Sequence, residues 1–351
     1  MTEKGTRLNL RIFVLTAITL LIALSSCKPV DNAPKLKKSS TASVNTRIPV
    51  ILDTDIGDDI DDTAALILLL NSPEFDIKLI TTSVGNTKER TKIVAKILDV
   101  ANRTDIPIGT GPATKTATLA QSAWVEDYDL SSYPGKIYDD GVKAIVDTIM
   151  NSPEPVKLIA IGPLPNISAA LEREPRITDN AEFIGMQGSI RIGYIAKSKP
   201  AAEWNVYCFP KAAQKVFAAD WDVTITPLDT CGLIYFEGDR YKKIYNSNSP
   251  LAKAFIDNYR LWMEFPWDPP ITTWSTRIKD FNVETKSTTL FDLTAVYLAI
   301  STDFLKIEEL GIRVTDDGRT VIDDNAKKIK CATYWQDMGA YKDFVVERFI
   351  K

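Results

Sequence analysis

Six carboxylates, those of Asp53, Asp55, Asp58, Asp59, Asp61 and Asp62, crowd into ten residues of the segment 49–70. Beside apolar neighbours so many like charges repel one another or take up protons unless something positive joins them. A bound cation answers that need economically. Hard divalent ions take carboxylate and carbonyl oxygens, Ca²⁺ accepting roughly six to eight in loose geometry and Mg²⁺ requiring a tighter octahedron. A solvated acidic turn that also caps a helix is the plainer reading of the same residues. An EF-hand loop is excluded, because Gly57 stands one place early and Ala64 occupies the position of the bidentate glutamate.

The flanking residues position these acids. Val50, Ile51 and Leu52 read as a short buried strand, and residues 64–70 as a buried helix opening near Asp61 or Asp62. The carboxylates therefore sit in a strand-to-helix turn, at the carboxyl edge of a sheet, where open α/β folds bind ligands. Further along, residues 76–82, 106–108, 156–161, 182–186 and 223–228 have the pattern of strands. Helical spacing joins Ile93, Val94, Ile97, Leu98 and Ala101, and covers residues 140–150, 211–219, 249–265 and 338–350. Residues 307–323 suit a hairpin around Asp316-Asp317-Gly318. The alternation predicts an α/β fold with an open, mostly parallel, Rossmann-like sheet and helices on both faces.

Residues 1–26 read as a lipoprotein signal peptide. Lys4, Arg7 and Arg11 precede the apolar run 12–24, which is short for a membrane span, and Leu24-Ser25-Ser26-Cys27 looks like a bacterial lipobox. Cleavage there leaves a lipid-modified Cys27, so the expectation is an exported bacterial lipoprotein anchored in a membrane, on its periplasmic or cell-surface side. An ordinary signal peptide with a chance cysteine is the alternative. Residues 27–46 lack apolar periodicity and read as a flexible tether, leaving residues 47–351 for the folded domain. The chain carries a formal net charge of −4, and losing the leader's basic residues makes the mature protein more acidic still. No basic surface invites a nucleic-acid polymer.

Several other features bear on a ligand. Asn86 follows Gly85 in a turn after the second strand, and Glu203 and Asn205 flank Trp204 ahead of a helix. Turn formation and helix capping are their plainer roles. The long segment 110–135 carries Trp124, Tyr128 and Tyr133, and the proline-containing segment 262–274, which begins at the end of the helix at 249–265, carries Trp262, Trp267 and Trp274. These aromatics either pack on the core or offer flat faces to a planar ligand. Cys208, Cys231 and Cys331 lack metal spacing; an oxidising compartment would allow one pair to bridge and leave one thiol, and whether any pair does so is left open.

The acidic turn resembles the signature of the inosine-uridine-preferring nucleoside hydrolases in its D-x-D-x-G-x-D-x-D-D variant, with Asp53, Asp55, Gly57, Asp59, Asp61 and Asp62 matching. Further motifs follow in the family's order over residues 47–323. They are Gly85-Asn86, Ile161-Gly162-Pro163-Leu164-Pro165-Asn166, Met186-Gln187-Gly188, Ala202-Glu203-Trp204-Asn205-Val206 and Phe291-Asp292. The resemblance implies Ca²⁺-dependent hydrolysis of the N-glycosidic bond of ribonucleosides or related N-ribosides. It implies Asp55, Asp62, Asp292 and the Ile161 carbonyl as metal ligands, with Asp55 also taking a proton from the attacking water. Asp61, Asn86, Glu203 and Asn205 are implied as sugar contacts; Trp267 is a substrate-binding candidate only as one of the tryptophans that either pack on the core or present an indole to a flat base. Asp53 is expected to order the turn.

The chain also departs from the family. It contains no histidine, and Phe291 stands where the purine-accepting branch carries a histidine thought to protonate the base. A carboxylic acid tuned by burial, Asp268 or Glu264, is one expected substitute. The partners implied are a small nucleoside or riboside and a membrane reached through the lipid; a homo-oligomer is left open. Two other classes stay open on the residues alone. A haloacid-dehalogenase-like phosphotransferase also begins strand-Asp-x-Asp, though Gly57 fits it poorly. A non-catalytic, surface-tethered nucleoside- or sugar-binding lipoprotein would keep the metal and sugar residues without the acid.

Overall fold

Ile48–Thr54 forms the central strand β1, and its side chains alternate between two cores. Val50 and Leu52 enter one and Ile51 the other. Burial on both faces is why the strand reads as an unbroken apolar run. The computed structural model describes residues 47–194, 198–267 and 282–351. The leader, tether and Cys27, and likewise Asp268 and Trp274, lie outside the described residues.

From β1 the chain passes through helix α1 (Asp61–Leu70) to β2 (Phe75–Thr82), then α2 (Thr87–Val100), β3 (Ile108–Thr110) and the short β4 (Ile137–Tyr138). Helix α3 (Gly141–Met150) carries it back to β5 (Val156–Ala160) on the other side of β1. Next come α4 (Pro165–Arg173), β6 (Ala181–Met186), α5 (Trp204–Cys208), α6 (Pro210–Ala218) and β7 (Val223–Thr226). Helices α7 (Gly238–Tyr245), α8 (Pro250–Glu264) and α9 (Leu293–Leu298) precede β8 (Leu305–Val314), β9 (Thr320–Ile322), β10 (Lys328–Trp335) and α10 (Met338–Phe349).

The strand order among the described residues is β4-β3-β2-β1-β5-β6-β7-β10-β8-β9. Pairing is parallel from β4 through β10, and β8 and β9 close the edge as an antiparallel hairpin. Winding reverses between β1 and β5, so the carboxyl ends of these two neighbours splay into the crevice where doubly wound sheets take ligands. The turn after β1 therefore opens at the switch point.

Helix α1 is buried at every position except its last, Leu70. An apolar surface on all sides suits a helix enclosed by others, and α1 packs against α8, α9 and α10. The strand β10 and helix α7 escape the hydrophobic pattern. β10 places Ile329 between two lysines and then buries the small residues Cys331, Ala332 and Thr333, and α7 buries only Tyr241 and Ile244. The three described cysteines, Cys208, Cys231 and Cys331, are all free.

Candidate active site and metal centre

The turn after β1 is shaped by glycine and held by arginine. Gly57 has φ 118°, and a β-carbon there would lie 2.8 Å from both Ile93 Cδ1 and Leu119 Cδ1. Arg90 of α2 is buried beneath the turn. Its Nη1 donates to the carbonyls of Asp55 and Ile56 (2.8 Å to the latter), and its Nη2 pairs with Asp58 Oδ2 at 2.8 Å. Its Nε donates to Val84 O at 2.8 Å. Val84 is a β-branched residue at φ 59°, followed by Gly85 at φ 66°. Such strain persists only where surrounding contacts hold it. The arginine thus braces the ends of β1 and β2 against each other, a role no sequence pattern announces.

Asp61 and Asp62 open α1, and Asp292 stands immediately before α9. All three are buried, and each offers a carboxylate oxygen within 4.8 Å of the others. Asp62 Oδ1 accepts from Thr54 Oγ1 at 2.5 Å, and Asp61 Oδ1 from the Asp62 amide at 3.1 Å. Neither contact brings a full positive charge. Desolvation first, and then mutual repulsion, hold all three carboxyls well above the usual carboxylate range. Arg90 acts on Asp62 without bonding to it, its own bonds going to Asp58 and to backbone carbonyls, and three converging buried oxygen donors suit a hard divalent cation. Asp61, which the resemblance assigns to the sugar, joins this group, whereas Asp55 stands beside it.

Asp55 is half-buried at the centre of the constellation, and desolvation pushes its carboxyl up to about 6 against the pull of Arg90. Its charge is felt by Asp53, Asp59, Asp61, Asp62, Asp292 and Glu203. It therefore faces both the acidic group and the wall across the crevice. Asp53 points into the sheet: its Oδ1 accepts from Thr81 Oγ1 at 2.5 Å and Asn166 Nδ2 at 2.8 Å, while its Oδ2 is buried without a partner. Burial lifts it to about 7. Asp59 caps locally, accepting from the Ile60 amide at 2.7 Å, and its carbonyl is held by Gln121 Nε2 at 2.9 Å.

The opposite wall comes from the ends of β5 and β6 and from α5. Asn205 Nδ2 donates to the carbonyls of Ile161 (2.9 Å) and Met186 (3.1 Å). A carbonyl has two lone pairs, so Ile161 O keeps one for a cation. Glu203 caps α5: Oε1 accepts from the Asn205 amide at 2.8 Å, and Oε2 from Gly188 at 2.9 Å and Val206 at 3.3 Å. Desolvation still raises its carboxyl to about 7. Asn86 likewise caps α2 through Glu89 N at 3.3 Å.

Most of the aromatic residues singled out by sequence serve packing. Trp124 lies under Lys96 Nζ, 4.4 Å from its ring centroid, and Tyr128 bonds Asp99 at 2.5 Å. Trp267 packs edge-on to Phe265 at 4.9 Å, with its indole N–H on the Trp262 carbonyl at 3.0 Å. Glu264 is exposed at the end of α8, which removes the burial that would tune it as an acid. Phe291, beside Asp292, instead meets Tyr194 edge-on, ring centroids 6.1 Å apart.

A family model described as inosine-uridine preferring nucleoside hydrolase matches residues 50–350. Pyrimidine-specific ribonucleoside hydrolases RihA of Escherichia coli and Escherichia fergusonii are each 33% identical over 224 residues, covering 60% of this chain and 70% of theirs. Among solved structures, the plant nucleoside hydrolase PpNRh1 superposes with a TM-score of 0.71 at 22% identity, over 87% of this chain and 99% of that one. The purine-preferring ribonucleoside hydrolase from Gardnerella vaginalis gives 0.67 at 22%, over 86% and 98%. A match running from within β1 to just past α10 shows the family: the chain belongs to the inosine-uridine preferring nucleoside hydrolases and is a nucleoside hydrolase enzyme.

Proposed function

We propose that this enzyme hydrolyses the N-glycosidic bond of ribonucleosides with Ca²⁺ at Asp61, Asp62 and Asp292, Asp55 and the Ile161 carbonyl completing the set. The observation that carries the reading is the buried acidic group Asp61, Asp62 and Asp292 beside Asp55 at the switch point, where the nearby Arg90 is already bonded to Asp58 and to backbone carbonyls. A bound divalent ion would supply the charge that balances these carboxylates and makes a nearby water more acidic. Asp55 accepts the proton of the attacking water, whose oxygen bonds to the anomeric carbon as the carbon–nitrogen bond breaks and the base leaves with the electron pair. Glu203 Oε1, which accepts one backbone N–H, retains a lone pair for a sugar hydroxyl. Asn205 spends its amino group on two carbonyls and leaves its Oδ1 for the same purpose.

The relatives named as pyrimidine-specific make uridine and cytidine the first substrates to try. Product release from a panel of nucleosides, with calcium and with chelator, tests the reading. Hydrolysis that survives complete chelation would overturn the metal role. Tight ribose binding without turnover would overturn the mechanism.

The Leu24-Ser25-Ser26-Cys27 sequence supports an exported enzyme held at a membrane by lipid on Cys27. Such an enzyme would meet nucleosides outside the cytoplasm.

A further inference from the structure

Departure of the base leaves an electron pair on nitrogen and its conjugated carbonyls, and a preorganised hydrogen-bond donor on that side stabilises the developing charge. The chain has no histidine to serve there, and Phe291 offers only a ring. Resting on the hydrolytic reading above, we propose that the hydroxyl of Tyr194 donates a hydrogen bond to the departing base.

Three features of its setting support this role. The Tyr194 hydroxyl oxygen accepts from the Trp204 amide at 2.7 Å, a contact that leaves its own proton to give. Its ring meets that of Phe291, the residue next to Asp292, edge-on at 6.1 Å, while its hydroxyl reaches the amide that opens α5, so the side chain spans from the neighbour of Asp292 to α5. The preceding segment is braced: Asp229 accepts from the Ile190 and Arg191 amides at 2.9 and 2.8 Å, Glu203 from the Gly188 amide, and Ser189 Oγ donates to Ile192 O at 2.7 Å. Bracing of this kind fixes a donor before the reaction begins, which is what makes it worth more than a water molecule.

The chemistry of the phenol defines the kind of help it gives. Burial, and then the nearby Glu203 carboxylate, hold its proton far more tightly than in water. Tyr194 therefore stays neutral, sharing its proton with the base without transferring it. The proton that completes the free base comes from solvent after the bond has broken. A base able to accept a hydrogen bond on a carbonyl near the reacting nitrogen, such as a pyrimidine, gains most.

The experiment compares uridine with a nitrophenyl riboside, whose leaving group departs without assistance, in the full-length protein with calcium. Tyr194→Phe keeps the ring and its Phe291 contact and removes only the hydroxyl. The expected result is a loss of about 10²-fold in kcat/KM for uridine, the order seen when one such donor is removed. The nitrophenyl riboside should change by less than about three-fold, and calcium-dependent melting should not move. Equal losses on both substrates would overturn the proposal, since they would place the hydroxyl on the sugar or in the fold. No loss on either would overturn it as well. If the unmutated enzyme hydrolysed neither substrate, the hydrolytic reading itself would fall, an outcome distinct from a failure of Tyr194.

Discussion

A β-carbon on Gly162 would lie 2.4 Å from Asp55 Oδ1 and 3.0 Å from the Asp55 amide. The ends of β5 and β1 thus approach so closely that the Asp55 carboxylate, the proposed base, rests where a side chain at Gly162 would be. Gly162→Ala should displace the carboxylate, with the backbone contact preventing simple accommodation. Overpacking of this kind costs about 1–3 kcal/mol, so the variant should still fold while kcat falls by roughly 10²-fold, as expected for loss of a positioned base. Kinetics beside thermal melting check this, and wild-type kcat would show that Asp55 is not the base.

In the proposed calcium site, Asp62→Ala removes a ligand that would also tie α1 to α9 through a shared ion. Calcium affinity should fall by more than the ~10–100-fold that loss of a mere outer-shell partner costs. A ligand at roughly a thousand times its Kd stabilises by about 4 kcal/mol, so calcium should raise the melting temperature of the parent and barely move that of the variant. Calorimetric titration and melting with and without chelator measure both quantities. An equal calcium shift in parent and variant would remove Asp62 from the set.

Stability should depend on pH in opposite ways with and without the ion. Asp53 and Asp59 are raised to about 7 and Asp55 to about 6, from an ordinary value of 3.8. In chelator the folded protein holds more protons than the unfolded chain across that interval. Its stability is therefore fully present below about pH 4 and declines as pH rises to about 7. Calcium competes with those protons, so the gain from adding it should grow over the same window. Melting curves across this range, with chelator and with calcium, check the sign. Parallel curves would disconnect the acids from the ion.

Arg90 and Asp58 form one pair with unequal stakes. Arg90 is buried and holds three carbonyls as well, whereas the Asp58 side chain is 39% exposed. Arg90→Met strands those carbonyls, at about 1–3 kcal/mol for each group left without a partner. Asp58→Asn should cost about 1 kcal/mol or less, as exposed pairs do. Denaturant unfolding of the two variants distinguishes them, and similar losses would mean the ion pair, not the carbonyl clamp, holds the turn.

Cys27→Ser in the full-length chain should abolish lipid attachment and release the protein from membranes. Fractionation with metabolic lipid labelling reads the outcome. A variant still retained at the membrane would show that the apolar run 12–24 is itself the anchor.

The sequence by itself determined the α/β alternation, the acidic turn after the first strand and the order of the motifs, because these are local: an apolar run, a period, a cluster of charges. It also marked Asp292, though only through resemblance. Tertiary structure decided which acids share a site. Asp61 joins Asp62 and Asp292, Asp55 stands beside them facing Glu203, and Asp58 is taken by Arg90, 32 residues away. Asn166 reaches Asp53 across 113 residues. None of these distances has a sequence period, because each is set by how the strands and helices around β1 come together, Asn166 meeting Asp53 where β5 joins β1 and Arg90 meeting Asp58 from α2 on the other side. The same closure placed the aromatic residues. Trp124, Tyr128 and Trp267 look like ligand stackers by composition, but packing spends their faces and polar atoms on α2 and α8. Tyr194, unmarked in the sequence, was brought to Phe291 by the braced turn after β6.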